Sequence, residues 1–216
     1  ETVPLESWEC FEQHVSIMVS KWRKLKAEGK YNQWATPRFR GHADADWKLE
    51  TTLERFTKKQ SWSQEQYYKT IRDIRPAVIS LTGKHWDIPE FDDGKLAPSG
   101  YEFMIYLRHH GFPSPLLDWT RSPYVAAFFA FQPQEQPKIE KIAIYSYVEK
   151  FFNAEIAQDS NKATVRGLGP YAVTHKRHYA QQCEYSICEQ QIDGKYVYGS
   201  HQNPEFGDPN SDLGPV

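Results

Sequence analysis

The chain is poor in cysteine, in long apolar runs and in net charge, and each shortage removes a class of protein. Its 216 residues hold three cysteines, Cys10, Cys183 and Cys188. An odd set without metal-ligand spacing fits neither a disulfide framework nor a structural zinc site, and it predicts reduced thiols in a cytosol. No apolar stretch approaches the ~20 residues that span a bilayer, and no cleavable leader is visible. A cytoplasmic location without membrane association is therefore expected. The chain begins at Glu1 rather than methionine, which leaves an excised domain and a processed chain both open and gives the missing leader little weight. A net charge of −2 and a pI near 6.5 argue against a generally nucleic-acid-binding surface and leave only a local basic patch. Internal repeats are absent. What the chain has is a globular balance, 39% hydrophobic and 25% charged, with 15% aromatic residues. Rings in that number fill a core, or line a pocket that stacks a base or nicotinamide.

Along the chain, Ser7 is placed to cap a long amphipathic helix with Trp8, Phe11, Val15, Met18, Trp22 and Leu25 on one face. Lys21, Arg23, Lys24 and Lys26 read as its solvated face, and Gly29 ends it. Trp34 to Arg40 reads as a strand in which Pro37 marks an edge or a bulge. Gly41 closes that strand, so Arg40 projects from its end. Thr51–Phe56 is a short helix, and Ser63–Arg75 a second one stopped by Pro76. Lys84–Pro98 is loop-like, and Ser99 with Glu102 forms a capping box for a helix reaching His109. Further on, Lys141–Val148 alternates as a strand, Lys150–Ala157 suggests a short helix, and Asn161–Gly169 a loop. Tyr171–Thr174, Gln182–Cys188 and Lys195–Tyr198 read as strands. From Ser200 the chain is rich in Pro, Gly, Asn and Asp. One domain over residues 1–199 and a flexible tail over 200–216 are expected.

The stretch from Leu107 to Ala130 organises the rest. Gly111 suits a helix C-cap, and Pro113 and Pro115 force an extended path. Leu116 and Leu117 then enter the core, and Ser122-Pro123 opens a new helix whose Ala126, Ala127 and Ala130 permit close packing. Asp118, Trp119, Thr120, Arg121 and Ser122 are thus held between a strand end and a helix start, where backbone N–H groups favour anions such as phosphate. His109 and His110 with Asp118 also suggest a metal site, although adjacent histidines rarely ligate one ion and further ligands are not evident. No metal is expected.

This stretch resembles the FRG domain family pattern L-Q-H-Y-G-x-P-T-R-L-L-D-W-T-x-S-P-x-x-A-x-x-F-A, with Arg108 for the glutamine, His110 for the tyrosine and Ser114 for the threonine. Upstream, Phe39-Arg40-Gly41-His42 through Trp47 and Leu49 resembles F-R-G-Q-x-x-x-x-W-x-L, with His42 for glutamine. Downstream, Arg177 to Tyr185 resembles R-x-x-x-Q-Q-G-x-F, with Cys183 for glycine.

The order of an arginine on an early strand, Ser/Thr at a strand-to-helix junction and a glutamate on a late strand is similar to that of ADP-ribosyltransferases. Arg40, then Thr120 or Ser122, then Glu184 would fill these places, with Gln182-Cys183-Glu184 as a Q-x-E. In a strand Gln182 and Glu184 share a face. That resemblance implies an α+β fold, a single domain of helices flanking two small, mainly antiparallel sheets that form a cleft. It implies an NAD-dependent transferase of toxin or defence type acting on a macromolecular acceptor, protein or nucleic acid, with NAD as substrate. An antitoxin or a larger host polypeptide would be a partner. Arg40, Gly41, His109, Thr120, Ser122 and Tyr124 would bind NAD, Glu184 would catalyse, and Gln182 would meet the acceptor. Two other readings remain beside it: a non-catalytic nucleotide- or protein-binding module using the same cleft, and a structural interaction domain. Glu184 as a surface residue of an edge strand is the competing local reading.

Overall fold

The computed structural model describes residues 3–31, 35–58, 60, 62–88, 98–132, 141–148, 163–168 and 181–202. Among them are helices α1 (Trp8–Ala27), α2 (Thr52–Phe56), α3 (Gln64–Thr82), α4 (Tyr101–His109) and α5 (Pro123–Ala130). The strands are β1 (Arg38–His42), β2 (Leu116–Thr120), β3 (Ala143–Tyr147), β4 (Thr164–Gly167), β5 (Cys183–Ile192) and β6 (Lys195–Tyr198). The protein is α+β, and its resolved strand registers are antiparallel. No helix among the described residues is long and apolar enough to cross a membrane. The chain gathers into two compact units: Glu1–Trp47 with Trp119–Ile156 and Glu205–Val216, and Lys48–Asp118 with Ala157–Pro204.

In the first unit α1 begins where the Ser7 hydroxyl accepts the Cys10 N–H at 3.2 Å. It buries Phe11, Met18 and Leu25 from the apolar stripe. The ladder runs β3-β1-β2, with Gly41 opposite Ile144 and Phe39 opposite Thr120. Helix α5 lies on β1, capped by Ser122, which accepts the Val125 N–H at 3.3 Å and precedes Pro123 at the first helical position. Met18, Phe39 and Ala126 form the small core between these elements. Trp119 is 3% exposed and meets Tyr147 edge-on at 4.8 Å between ring centroids. Truncating a buried tryptophan removes its contacts and leaves a cavity, so Trp119→Ala should cost about 3–5 kcal/mol. A chemical-denaturation midpoint equal to wild type would contradict that placement.

In the second unit Tyr67, Tyr68, Ile71, Phe103, Met104, Ile105, Leu116, Tyr185 and Ile187 belong to one continuous core. Here the strands are β2, β5 and β4, with β6 on β5. Helices α2 and α3 each open with a reciprocal capping box, Thr51 with Glu54 and Ser63 with Gln66. Helix α4 ends as expected, with Gly111 at φ +81° donating to the Arg108 carbonyl at 3.1 Å.

Several sequence expectations are corrected. Helix α3 continues through Pro76 to Thr82, because one missing N–H costs less than the rest of the helix gains. The Ser99–Glu102 capping box does not form; Gly100 caps α4 in a left-handed conformation, and the buried Ser99 hydroxyl has no hydrogen-bond partner among the described residues. Gly41 does not end the first strand but sits inside β1, so Arg40 lies within the strand, opposite Tyr145. Thr164–Gly167, expected in a loop, pairs with β5. Gln182 precedes β5 with φ +49°, so it does not share a strand face with Glu184. His201 is 1% exposed and bonds to Ser186 at 3.0 Å, so ordered packing passes Ser200. Trp34, the helix over Lys150–Ala157, the strand over Tyr171–Thr174, Arg177 and the tail beyond 202 lie outside the described residues.

Candidate functional site

The first-unit residues are set by the approach of α5 to β1. A Cβ built on Gly41 would lie 1.8 Å from the Ala126 carbonyl oxygen. Glycine is therefore needed here for space rather than for a positive φ. Beside it, Arg40 donates through Nε to His42 Nε2 at 2.9 Å. His42 is 4% exposed, and its Nδ1 lies 3.2 Å from the Trp47 carbonyl oxygen, which also accepts from the Tyr145 hydroxyl at 3.2 Å. The Arg40 guanidinium is thus oriented by a ring that is itself held. Burial pushes the Tyr145 hydroxyl pKa up, with nearby Arg40 acting against it, so the hydroxyl stays a donor at neutral pH.

Thr120 and Ser122 use their hydroxyls on the chain turn. Thr120 Oγ1 accepts the Ser122 N–H at 3.1 Å, and Ser122 Oγ caps α5. Both are architectural in this respect. Tyr124 is 51% exposed, with its ring 6.3 Å from Phe11 and 6.1 Å from Trp8.

The second unit holds His109, Asp118, Gln182 and Glu184. Asp118 takes a fork from Arg108: Nε donates to Oδ1 at 2.6 Å, and Nη2 donates to Oδ2. Nη1 donates to Thr52 Oγ1 at 3.2 Å, and Thr52 in turn accepts the Ser114 N–H at 2.9 Å. Burial works against the Arg108 charge, but Asp118 more than offsets it and the guanidinium pKa is raised. Asp118 therefore ties α4, α2 and β2 together. His109 Nε2 meets the Tyr185 hydroxyl at 3.1 Å, while His110 Nδ1 turns to the Tyr106 carbonyl at 2.8 Å. The two histidines diverge, and no group of three metal-binding side chains occurs among the described residues.

Burial, aided by Asp118, pushes the Cys183 thiol up to about 12, and burial does the same to Cys188. Protonated thiols at neutral pH are poor nucleophiles. Glu184 is 1% exposed on β5, which rules out the surface-residue reading. Gln182 is exposed at the turn before that strand.

Sequence reasoning missed His42, Trp47 and Tyr145 as the setting of Arg40. The period-two spacing of Arg40 and His42 would have put them on one strand face. It also missed Thr52 as the anchor of Arg108.

No curated protein and no solved structure matches the chain. A family model does match, over residues 36–139, a span that begins before Phe39-Arg40-Gly41 and runs past α5. That model is the FRG domain, so the chain matches the FRG domain family over residues 36–139.

Proposed function

We propose that this chain is an NAD-dependent ADP-ribosyltransferase acting on a macromolecular acceptor. The observation that carries the reading is Arg40, a strand-borne guanidinium whose direction is fixed before any ligand arrives by its bond to His42. A fixed planar fork suits a pyrophosphate, since little rotamer freedom is then lost on binding. Chain order supports the same reading: Arg40 on β1, Thr120 ending β2, Ser122 capping α5 and Glu184 on β5. NAD supplies the reactive ribose–nicotinamide bond. Arg40 would hold phosphate, the start of α5 would add N–H groups, and the Glu184 carboxylate would face the positive charge that develops as nicotinamide leaves. The acceptor-facing role of Gln182 loses its strand argument and rests on its exposure beside β5.

One observation favours a second reading. Glu184 is almost inaccessible, as a structural carboxylate of a non-catalytic nucleotide-binding module would be. The assay is incubation of the purified chain with NAD labelled on the adenosine side and a cell lysate. Label transfer with nicotinamide release supports the transferase, whereas saturable NAD binding without either product supports the module.

A further inference from the structure

Helix α3 and the β5–β6 hairpin flank a groove in the second unit that uses none of the residues assigned to NAD. Its two walls are tied together. The Tyr198 N–H donates to the Trp62 carbonyl at 3.0 Å, and Ser63 bridges to Val197. Gln64, the first residue of α3 and 3% exposed, donates through Nε2 to Glu189 Oε1 on β5 at 2.5 Å. Between Ile192 and Lys195 the chain turns through Asp193 and Gly194, both at positive φ, the tight two-residue turn that suits strand twist. The groove is therefore formed before any ligand arrives. Its volume of about 290 Å³ lies at the lower end of the ~300–1,000 Å³ usual for small-molecule sites.

The helix wall carries Glu65, Tyr68 and Arg72, and the hairpin wall Gly194, Lys195 and Tyr196. Tyr68 and Arg72 are four apart on α3 and share a face. The Tyr68 ring is 2% exposed, and the Arg72 guanidinium carbon lies 5.9 Å from its centroid. A guanidinium held over a ring in this way loses freedom in advance and keeps its N–H groups for an anion. Lys195 places a second cation on the facing wall, and Glu65 is the single acid of the lining, so the cations outnumber it. Tyr196, 42% exposed, adds a ring beside Lys195. A phosphate suits the two cations, and a flat heterocycle suits an exposed ring. A nucleotide joins both groups in one small molecule. We propose that this groove binds a nucleoside monophosphate, its phosphate held by Arg72 and Lys195 and its base stacked on Tyr196.

Nitrogen-15 spectra of the full chain, titrated with AMP, locate the ligand. The amide signals of Gly194, Lys195 and Tyr196 should shift and saturate, while those of Arg40 and Gly41 report separately on the site proposed for NAD. Adenosine and ribose 5-phosphate each carry one half of the ligand and should bind more weakly than AMP. Arg72→Met and Lys195→Met should each weaken AMP about tenfold, the effect of one lost charge-assisted bond, and leave adenosine unchanged. Tyr196→Leu should weaken AMP and adenosine alike, about tenfold for one lost base–ring stack, and leave ribose 5-phosphate unchanged. Groove signals that stay still under AMP, a loss in Arg72→Met shared equally by adenosine, or a Tyr196→Leu protein that binds AMP like wild type would overturn the proposal. So would a short single-stranded oligonucleotide bound more tightly than AMP, which would make the groove part of a strand-binding surface.

Discussion

Gly41→Ala is expected to cost at least ~4 kcal/mol, at the severe end of single substitutions. The added Cβ would lie 1.8 Å from the Ala126 carbonyl oxygen, 2.8 Å from its carbonyl carbon and 2.8 Å from the Ala130 nitrogen. All three are backbone atoms, so no side chain can turn aside. Either α5 lifts off β1 or the first unit unfolds. In a chain of this size 1 kcal/mol is worth about 2–4 °C, so melting should fall by roughly 10 °C or more. Trimming the neighbour cannot help, because Ala126→Gly leaves its carbonyl in place; the double variant should melt no better than Gly41→Ala. Gly29→Ala is the control. It has open space around its Cβ and should lose only about 1 kcal/mol to its positive φ. A Gly41→Ala protein that melts with wild type would show that β1 and α5 do not approach as described.

Glu184→Gln is expected to lower nicotinamide release by about a hundredfold or more while leaving NAD affinity nearly unchanged. Glutamine keeps the size and part of the hydrogen bonding but removes the charge, and a charge aimed at a developing cation acts mainly in the transition state. Single-turnover release compared with equilibrium binding separates the two effects. In the module reading the outcome differs. Glu184, at 1% exposure, then contributes only to stability, and the variant shifts melting without altering anything done to NAD. Equal turnover in variant and wild type would remove Glu184 from catalysis.

The sequence made the local devices legible because each is a short-range rule. Ser7, Ser122-Pro123 and Gly111 act through hydrogen bonds within a turn of their own positions, and each does what its position implies. The role of Gly41 was not legible. A Phe-Arg-Gly run reads as a strand end, and nothing local says that α5, some eighty residues on, will press its backbone against that glycine. The same motif therefore serves two purposes: Gly41 admits the helix, and Arg40 carries the guanidinium. Pro76 misled because a proline's local cost was weighed without the amphipathic face that continues past it. Gln182 misled because a two-residue period assumes that the strand has already begun, whereas a left-handed residue precedes Cys183. Arg108 stands where the family pattern has glutamine, and its fork onto Asp118 shows why the exchange is tolerated: a longer donor reaches a carboxylate that β2 presents.

Calorimetric titration of NAD into wild type and Arg40→Ala tests the central claim, that Arg40 is a preoriented ligand for phosphate. Wild type should bind saturably. Arg40→Ala, which removes one charge-assisted contact, should lose about 1.5–3 kcal/mol of binding, roughly ten- to a hundredfold, with the titration run well below the melting temperature because the variant also leaves the buried His42 Nε2 without its Arg40 donor. Equal affinity in the two proteins, or no binding heat from wild type, would contradict it.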